Sequence, residues 1–362
     1  SHSVPEGWLI AAAGNPPEYN KSVREFDIVT LDRVRRMDIE ADLDVWMEYA
    51  WKKEIHGSIL AYLGMKKDHF YSVENTVDGK FFVTARGWED LSEILKAYEE
   101  LGVEITENLI GEYLCRDEIA RSFFASYQLY RKYGEDYGLK RLLSGEMAEE
   151  EQQKKVKMAE GASFEERFLV TGLLLSGLNG SFLNYEKLDK ETGAVYQELL
   201  HLKAFLHDKK DMTALDEFTD VKKKSLAVRL EAELLNLEQQ TTEEFVIRTL
   251  EEFSLTIRKE HITDTETGFE RIRQLFTEMV EKRKDCAKKI SRELERAFAF
   301  MKACFGDGQE TVLFVTGLTR NSHAAAFIRE YGCDPYFACS EKLLYRKQEK
   351  KLQEECESLL KI

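Results

Sequence analysis

Proline is scarce in this chain, and its placing matters more than its number. Three of the four prolines, Pro5, Pro16 and Pro17, lie at the beginning, and the fourth is Pro335. Between Pro17 and Pro335 the strongest helix breaker is absent, so long helices meet no backbone obstacle there. Long hydrophobic runs are missing too. No apolar stretch approaches the roughly 20 residues needed to span a bilayer, so no membrane partner is expected. The opening apolar run is too short for a signal peptide. The six cysteines (Cys115, Cys286, Cys304, Cys333, Cys339 and Cys356) include no C-x-x-C pair. That spacing argues against a zinc site or a disulfide framework and for reduced thiols in the cytoplasm. Positive charge is in deficit. A net charge of −15 argues against a nucleic-acid binder with a generally basic surface. No H-E-x-x-H, G-x-S-x-G or G-x-x-x-x-G-K-S/T occurs.

What is present is a globular balance: 43% hydrophobic and 33% charged over 362 residues, enough for two or three domains. The chain starts at Ser1 and its first methionine is Met37, which reads as a fragment or processed product. Trp8-Leu9-Ile10-Ala11-Ala12-Ala13 suits a buried strand, stopped by Gly14-Asn15-Pro16-Pro17. Asn15 is thereby delivered to the carboxyl edge of a sheet, where open α/β folds bind ligands. In residues 28–40, Met37 and Ile39 alternate with Arg36, Asp38 and Glu40, which predicts a short, partly exposed strand.

Helical signals follow. Asp42-Leu43-Asp44 opens one helix, about Ile55–Leu63 forms a second, and Asp78-Gly79 marks a turn. Thr84-Ala85-Arg86-Gly87-Trp88 leads into a helix to Leu101, closed by Gly102. From about 105 to 304 the chain reads as helix after helix. Ser163-Phe164-Glu165-Glu166 and Thr241-Thr242-Glu243-Glu244 have the form of capping boxes. Residues 269–304 predict one helix roughly 50 Å long, its apolar stripe interrupted at Arg283. Thr311–Thr316 fits a lone strand or a buried helix segment equally well.

Each chemistry-bearing candidate has a plain alternative. Asn15 could orient a water or sense a phosphate, or simply form a turn before Pro-Pro. Arg33 could project toward another subunit's phosphate, or pair with Asp32 or Asp38; Arg35 and Arg36 compete for the role. Arg86 opens a helix, where the macrodipole disfavours a cation, so an anion or a carboxylate such as Glu89 or Asp90 is expected beside it. Gly172-Leu173-Leu174-Leu175-Ser176-Gly177 has the glycine spacing of a phosphate loop but continues Leu178-Asn179, so close helix packing explains it better. His201 and His207 fall on different helix faces and make no metal pair. Lys222-Lys223-Lys224 and Lys282-Arg283-Lys284 read as solvated helix faces.

Taken in order, Ala12-Ala13-Gly14-Asn15-Pro16, Leu31-Asp32-Arg33 and Thr84-Ala85-Arg86 resemble the later half of an AAA+ ATPase module of the MoxR type. The resemblance covers about residues 5–135. It implies that Asn15 is the sensor 1 asparagine, Arg33 the arginine finger acting in trans, and Arg86 the sensor 2 arginine of the lid. It further implies ATP and Mg in the intact protein, a homo-oligomeric ring, and a partner containing a von Willebrand factor A domain. The expected fold is mainly α: a partial α/β AAA+ core with few strands over 1–41, a helical lid over 42–135, and a helical C-terminal extension over 136–362. The phosphate loop and the magnesium-binding strand are missing, so this chain alone is not expected to bind ATP tightly or in the family's way. The competing expectation is a non-enzymatic helical adaptor or scaffold. On the ATPase expectation, the coding DNA upstream of Ser1 continues in frame into G-x-x-x-x-G-K-S/T; an in-frame stop close upstream would exclude it.

Overall fold

An isolated strand leaves its backbone N–H and C=O groups without partners, and the beginning of this chain shows the consequence. The computed structural model describes residues 7–8, 11–14, 28–35, 37–76, 79–207, 209 and 211–342. It divides into two compact units, Ser1–Asp42 and Leu43–Ile362. In the first unit, helix α1 (Ile28–Arg33) is the regular element among the described residues. The strands expected at 8–13 and within 28–40 do not form among them. Trp8 is 75% exposed, Ala11–Gly14 are exposed, and Met37 and Ile39 lie open to solvent. The alternation at Met37 and Ile39 has no buried face to serve.

The second unit begins with α2 (Leu43–Lys52) and α3 (Gly57–Met65), then a 3-10 turn at Lys67–His69. Strands β1 (Ser72–Thr76) and β2 (Gly79–Val83) pair antiparallel, Ser72 opposite Val83 and Thr76 opposite Gly79. These strands lie on either side of the expected turn; residues 77–78 are outside the described set. Helices α4 (Ala85–Leu101), α5 (Glu107–Tyr113) and α6 (Asp117–Tyr137) complete this part. Its core is aromatic. Tyr62 and Trp88 each meet the Phe123 ring edge-on at 5.3 Å, and the Trp88 indole N–H donates to the Phe70 carbonyl at 3.0 Å. The buried indole thus keeps its hydrogen bond while its ring fills the core.

Seven short and long helices follow to the end of the regular fold, after α7 (Leu139–Ser144): α8 (Glu149–Glu160), α9 (Phe164–Leu206), α10 (Ala214–Glu231), α11 (Leu237–Lys259), α12 (Thr265–Phe305), α13 (Gln309–Arg320) and α14 (Ser322–Tyr331). Residues 334–342 are also helical. The protein is therefore mainly α with a two-stranded sheet. Helix α9 has 43 residues, about 65 Å at 1.5 Å per residue. Helix α12 runs past the expected start and stops at Gly306, as its sequence predicts. Thr311–Thr316 lies inside α13, so the ambiguous apolar run is a helix.

Caps explain most boundaries. Thr84 accepts from the Gly87 amide and Gly102 sits at φ 67°, so α4 begins and ends where its sequence says. Ser163 caps α9 through the Glu166 amide. Thr241 and Thr242 do not start α11. Asn236 and Gln239 form the reciprocal capping box one turn earlier, and the two threonine hydroxyls donate to the Leu237 and Glu238 carbonyls inside the helix.

Two of the four glycines of α9, Gly172 and Gly177, are there for packing. A Cβ on Gly172 would stand 2.8 Å from the Ala61 Cβ of α3, and one on Gly177 would stand 2.9 Å from a Leu143 methyl of α7. Both lie mid-helix, so the phosphate-loop spacing has no loop behind it. Gly180 faces open space. Gly172→Ala is therefore expected to destabilise by about 1–3 kcal/mol through overpacking, whereas Gly180→Ala should stabilise by up to ~1 kcal/mol. Urea denaturation distinguishes them; equal effects would refute the packing role of Gly172.

Candidate functional site

Among the predicted site residues, Asn15 lies outside the described residues. Arg33 ends α1, exposed, where a cation suits the negative helix end. Arg86 is exposed in the first turn of α4. Among the described residues it has no hydrogen bond or ion pair. The expected partner Glu89 instead accepts from the Tyr49 hydroxyl at 2.8 Å. Arg33 and Arg86 belong to different units, each described by itself.

The second unit contains an open cleft of about 1350 Å³, somewhat above the roughly 300–1,000 Å³ of small-molecule sites. Its walls come from the end of α2 and the start of α3, the middle of α9, the start of α11 and one face of α14. One wall carries His56, the N-cap of α3. Its Nδ1 accepts from the Ser58 amide at 3.3 Å and faces the Ser58 hydroxyl at 2.7 Å. With Nδ1 accepting, Nε2 carries the proton and donates to Glu99 at 3.2 Å. The Tyr127 hydroxyl donates to the other Glu99 oxygen at 2.8 Å, and the His56 amide donates to Ser92 at 2.8 Å. Burial pushes the Glu99 carboxyl up, but the His56 and Tyr127 hydrogen bonds outweigh it, and the group lies below its ordinary value. Burial lifts the Tyr130 hydroxyl on the cleft floor to about 12, so it stays protonated at neutral pH.

Ser58, His56 and Glu99 have the order of a nucleophile, base and orienter. Ser58 is 1% exposed, however, and cannot meet a substrate. The arrangement is a helix cap. Packing tightens it further: a Cβ on Gly57 would stand 2.2 Å from the Tyr130 hydroxyl and 2.5 Å from that of Ser176.

The facing wall is built from α14 and α9. Asn321 caps α14 through the His323 and Ala324 amides and donates to the buried Asn179 at 2.6 Å. His323 pairs with Glu186 through Nδ1, and Lys190 bridges Glu186 at 2.8 Å and Glu238 at 2.6 Å. Burial raises Glu186, and the Lys190 and His323 contacts bring it below its ordinary value. Arg283, expected on a solvated face, is instead drawn in. Its Nε lies 2.5 Å from Asp189, its Nη2 donates to the Tyr185 hydroxyl and to Glu330, and its guanidinium covers the Tyr185 ring. Lys222 and Lys223 pair with Glu198 and Glu251, and Lys223, Lys224, Lys282 and Lys284 stay on exposed faces as expected.

Sequence reasoning missed His56 and His323. Asn321 before a helix was a legible cap signal. A histidine in that role has no sequence signature, and its partner Glu99 is 43 residues away. No group of His, Cys, Asp and Glu among the described residues is placed to hold a metal ion. His201 pairs with Glu198. Cys115, Cys286, Cys304, Cys333 and Cys339 are free thiols. No helix among the described residues is long and apolar enough to cross a membrane. Comparisons with protein-family models, curated proteins and solved structures gave no match.

Because the folded Glu99 has a pKa below its reference of 4.5, its ionised form stabilises the fold above that pH. The contribution is lost as pH falls through the depressed folded value. Glu99→Gln is expected to cost about 1–3 kcal/mol at pH 7 and to flatten the fall of Tm below pH 4.5. Parallel Tm–pH curves for the two proteins would remove Glu99 from acid unfolding.

Proposed function

We propose that this chain is the C-terminal part of a MoxR-like AAA+ ATPase, which in its intact, ring-forming state remodels client proteins at the expense of ATP. The observation that supports this reading best is the start of α4. A Thr84-capped helix presents Arg86 exposed in its first turn, with no acidic partner among the described residues. An unpaired cation at the positive end of a helix is unfavourable unless an anion arrives, and a nucleotide phosphate in the role of the sensor 2 contact is such an anion. The aromatic bundle of α2–α6 gives that helix a rigid base, suited to a lid. Arg33 acts as the finger on a neighbour's phosphate, and Asn15 as the sensor. This chain has no phosphate loop, and one guanidinium does not cradle a nucleotide, so ATP and Mg are held by a segment upstream. A ring and a von Willebrand factor A partner belong to the same reading.

A non-enzymatic helical adaptor is the second reading. The wide cleft of the helical unit favours it, being roomy enough to take a peptide segment of a partner.

Joined to the upstream segment, the protein is expected to release phosphate from ATP. Arg33→Ala should lower turnover by about 10³-fold or more while sparing ATP binding, and Arg86→Ala should weaken ATP binding as well. Unchanged turnover in Arg33→Ala would overturn the finger role, and no hydrolysis in the wild type would leave the adaptor.

A further inference from the structure

Helices α9 and α12 both pass through the same two large cores, one after the other. Toward the body, α9 buries Leu174, Leu178 and Phe182 against Ile290, Leu294 and Met301 of α12. Farther along, α9 buries Val195, Leu199 and Leu202 with α10, α11 and Ile272 of α12. The two cores share no residue. Between them lies a largely charged waist: residues 186–193 of α9 and 280–285 of α12. It contains Lys187, Asp189, Glu191, Lys282 and Asp285 beside half-buried Leu188 and Val280, and no residue of it belongs to either core.

Charged contacts hold this waist. Arg283 joins α12 to Asp189 of α9 and to Glu330 of α14. Lys190 joins Glu238 of α11 to Glu186, which meets His323 of α14. The Lys190–Glu238 pair is the link between distal lobe and body in this relay, and it is solvent-exposed, hence weak and sensitive to salt. Gly193 adds an independent observation. It sits mid-helix, exposed, with no atom within 4 Å of the Cβ position. Unlike Gly172 and Gly177 it has no packing reason to be glycine, and its effect is to loosen the helix. The cleft runs along α9 from Ser176 into this waist as far as Glu191. Leu237, Glu238 and Thr241 of the distal lobe line it together with His56, Gly57 and Tyr130 of the body.

We propose that the waist is a charge-clamped hinge on which the distal lobe, residues 194–279, opens and closes the cleft. The hinge stands independently of the ATPase reading. It is tested on the full chain with genetically encoded spin-labelled side chains at the exposed positions Ser225 and Glu149, one on each side of the waist. At low salt the distance distribution should be narrow; at about 0.5 M salt, or in Lys190→Ala, it should broaden toward longer distances. Gly193→Ala should narrow it and slow amide exchange across 187–194 by about fivefold, the helix-propensity difference between glycine and alanine. Lys190 and Gly193 are exposed, so neither variant threatens the fold. One narrow distribution under all these conditions, with waist amides protected as well as the turns on either side, would overturn the hinge.

Discussion

The packing of α9 is the constraint on which the rest depends. A 43-residue helix with apolar positions along most of its length cannot stand alone in water. It must be covered on several sides. Gly172 and Gly177 let α3 and α7 approach its backbone, α12 covers another side, and α13 and α14 close the body. The aromatic bundle of α2–α6 is joined to the body mainly through α3 and α6, which both pack on α9. Removing the close contacts along this helix would separate the parts that frame the cleft.

One core could not serve the full length of α9 and α12, and the structure uses two. The interval between them carries the charges that a core would reject. Buried, those groups would need full pairing; half-exposed, they pair in part with one another and remain wet. Arg283 illustrates the compromise. It occupies a position where the repeat calls for an apolar side chain, and it covers the Tyr185 ring with its guanidinium while its nitrogens reach Asp189 and Glu330.

Much of the helical architecture was legible, because caps are local. Thr84 and Gly102 bound α4, Ser163 opens α9 and Gly306 closes α12, each through hydrogen bonds or backbone angles set within a few residues. Legibility failed where a pattern needed a distant partner. Met37 and Ile39 alternate like a strand, but no neighbouring strand takes up their backbone groups among the described residues. Thr241-Thr242-Glu243-Glu244 has the letters of a capping box, yet Asn236 and Gln239 captured the helix start first. Of the candidate site, Arg86 was placed correctly at a helix start, while its expected carboxylate partner was not. His56 and His323 were invisible, since a single histidine carries no period and its acidic partner lies far along the chain.

The sequence by itself determined the helical periods, most of their ends, the glycines that allow close approach and the charge of the waist. These are properties of neighbouring residues and of 3.6-residue repeats. Only the tertiary structure decided that the opening apolar run stays exposed where described, that the buried residues divide into separate cores instead of one, and that His56, His323 and Glu186 line one cleft. Those outcomes rest on which surfaces meet across tens to hundreds of residues. Burial and ion pairing act between such surfaces, and no local pattern records them.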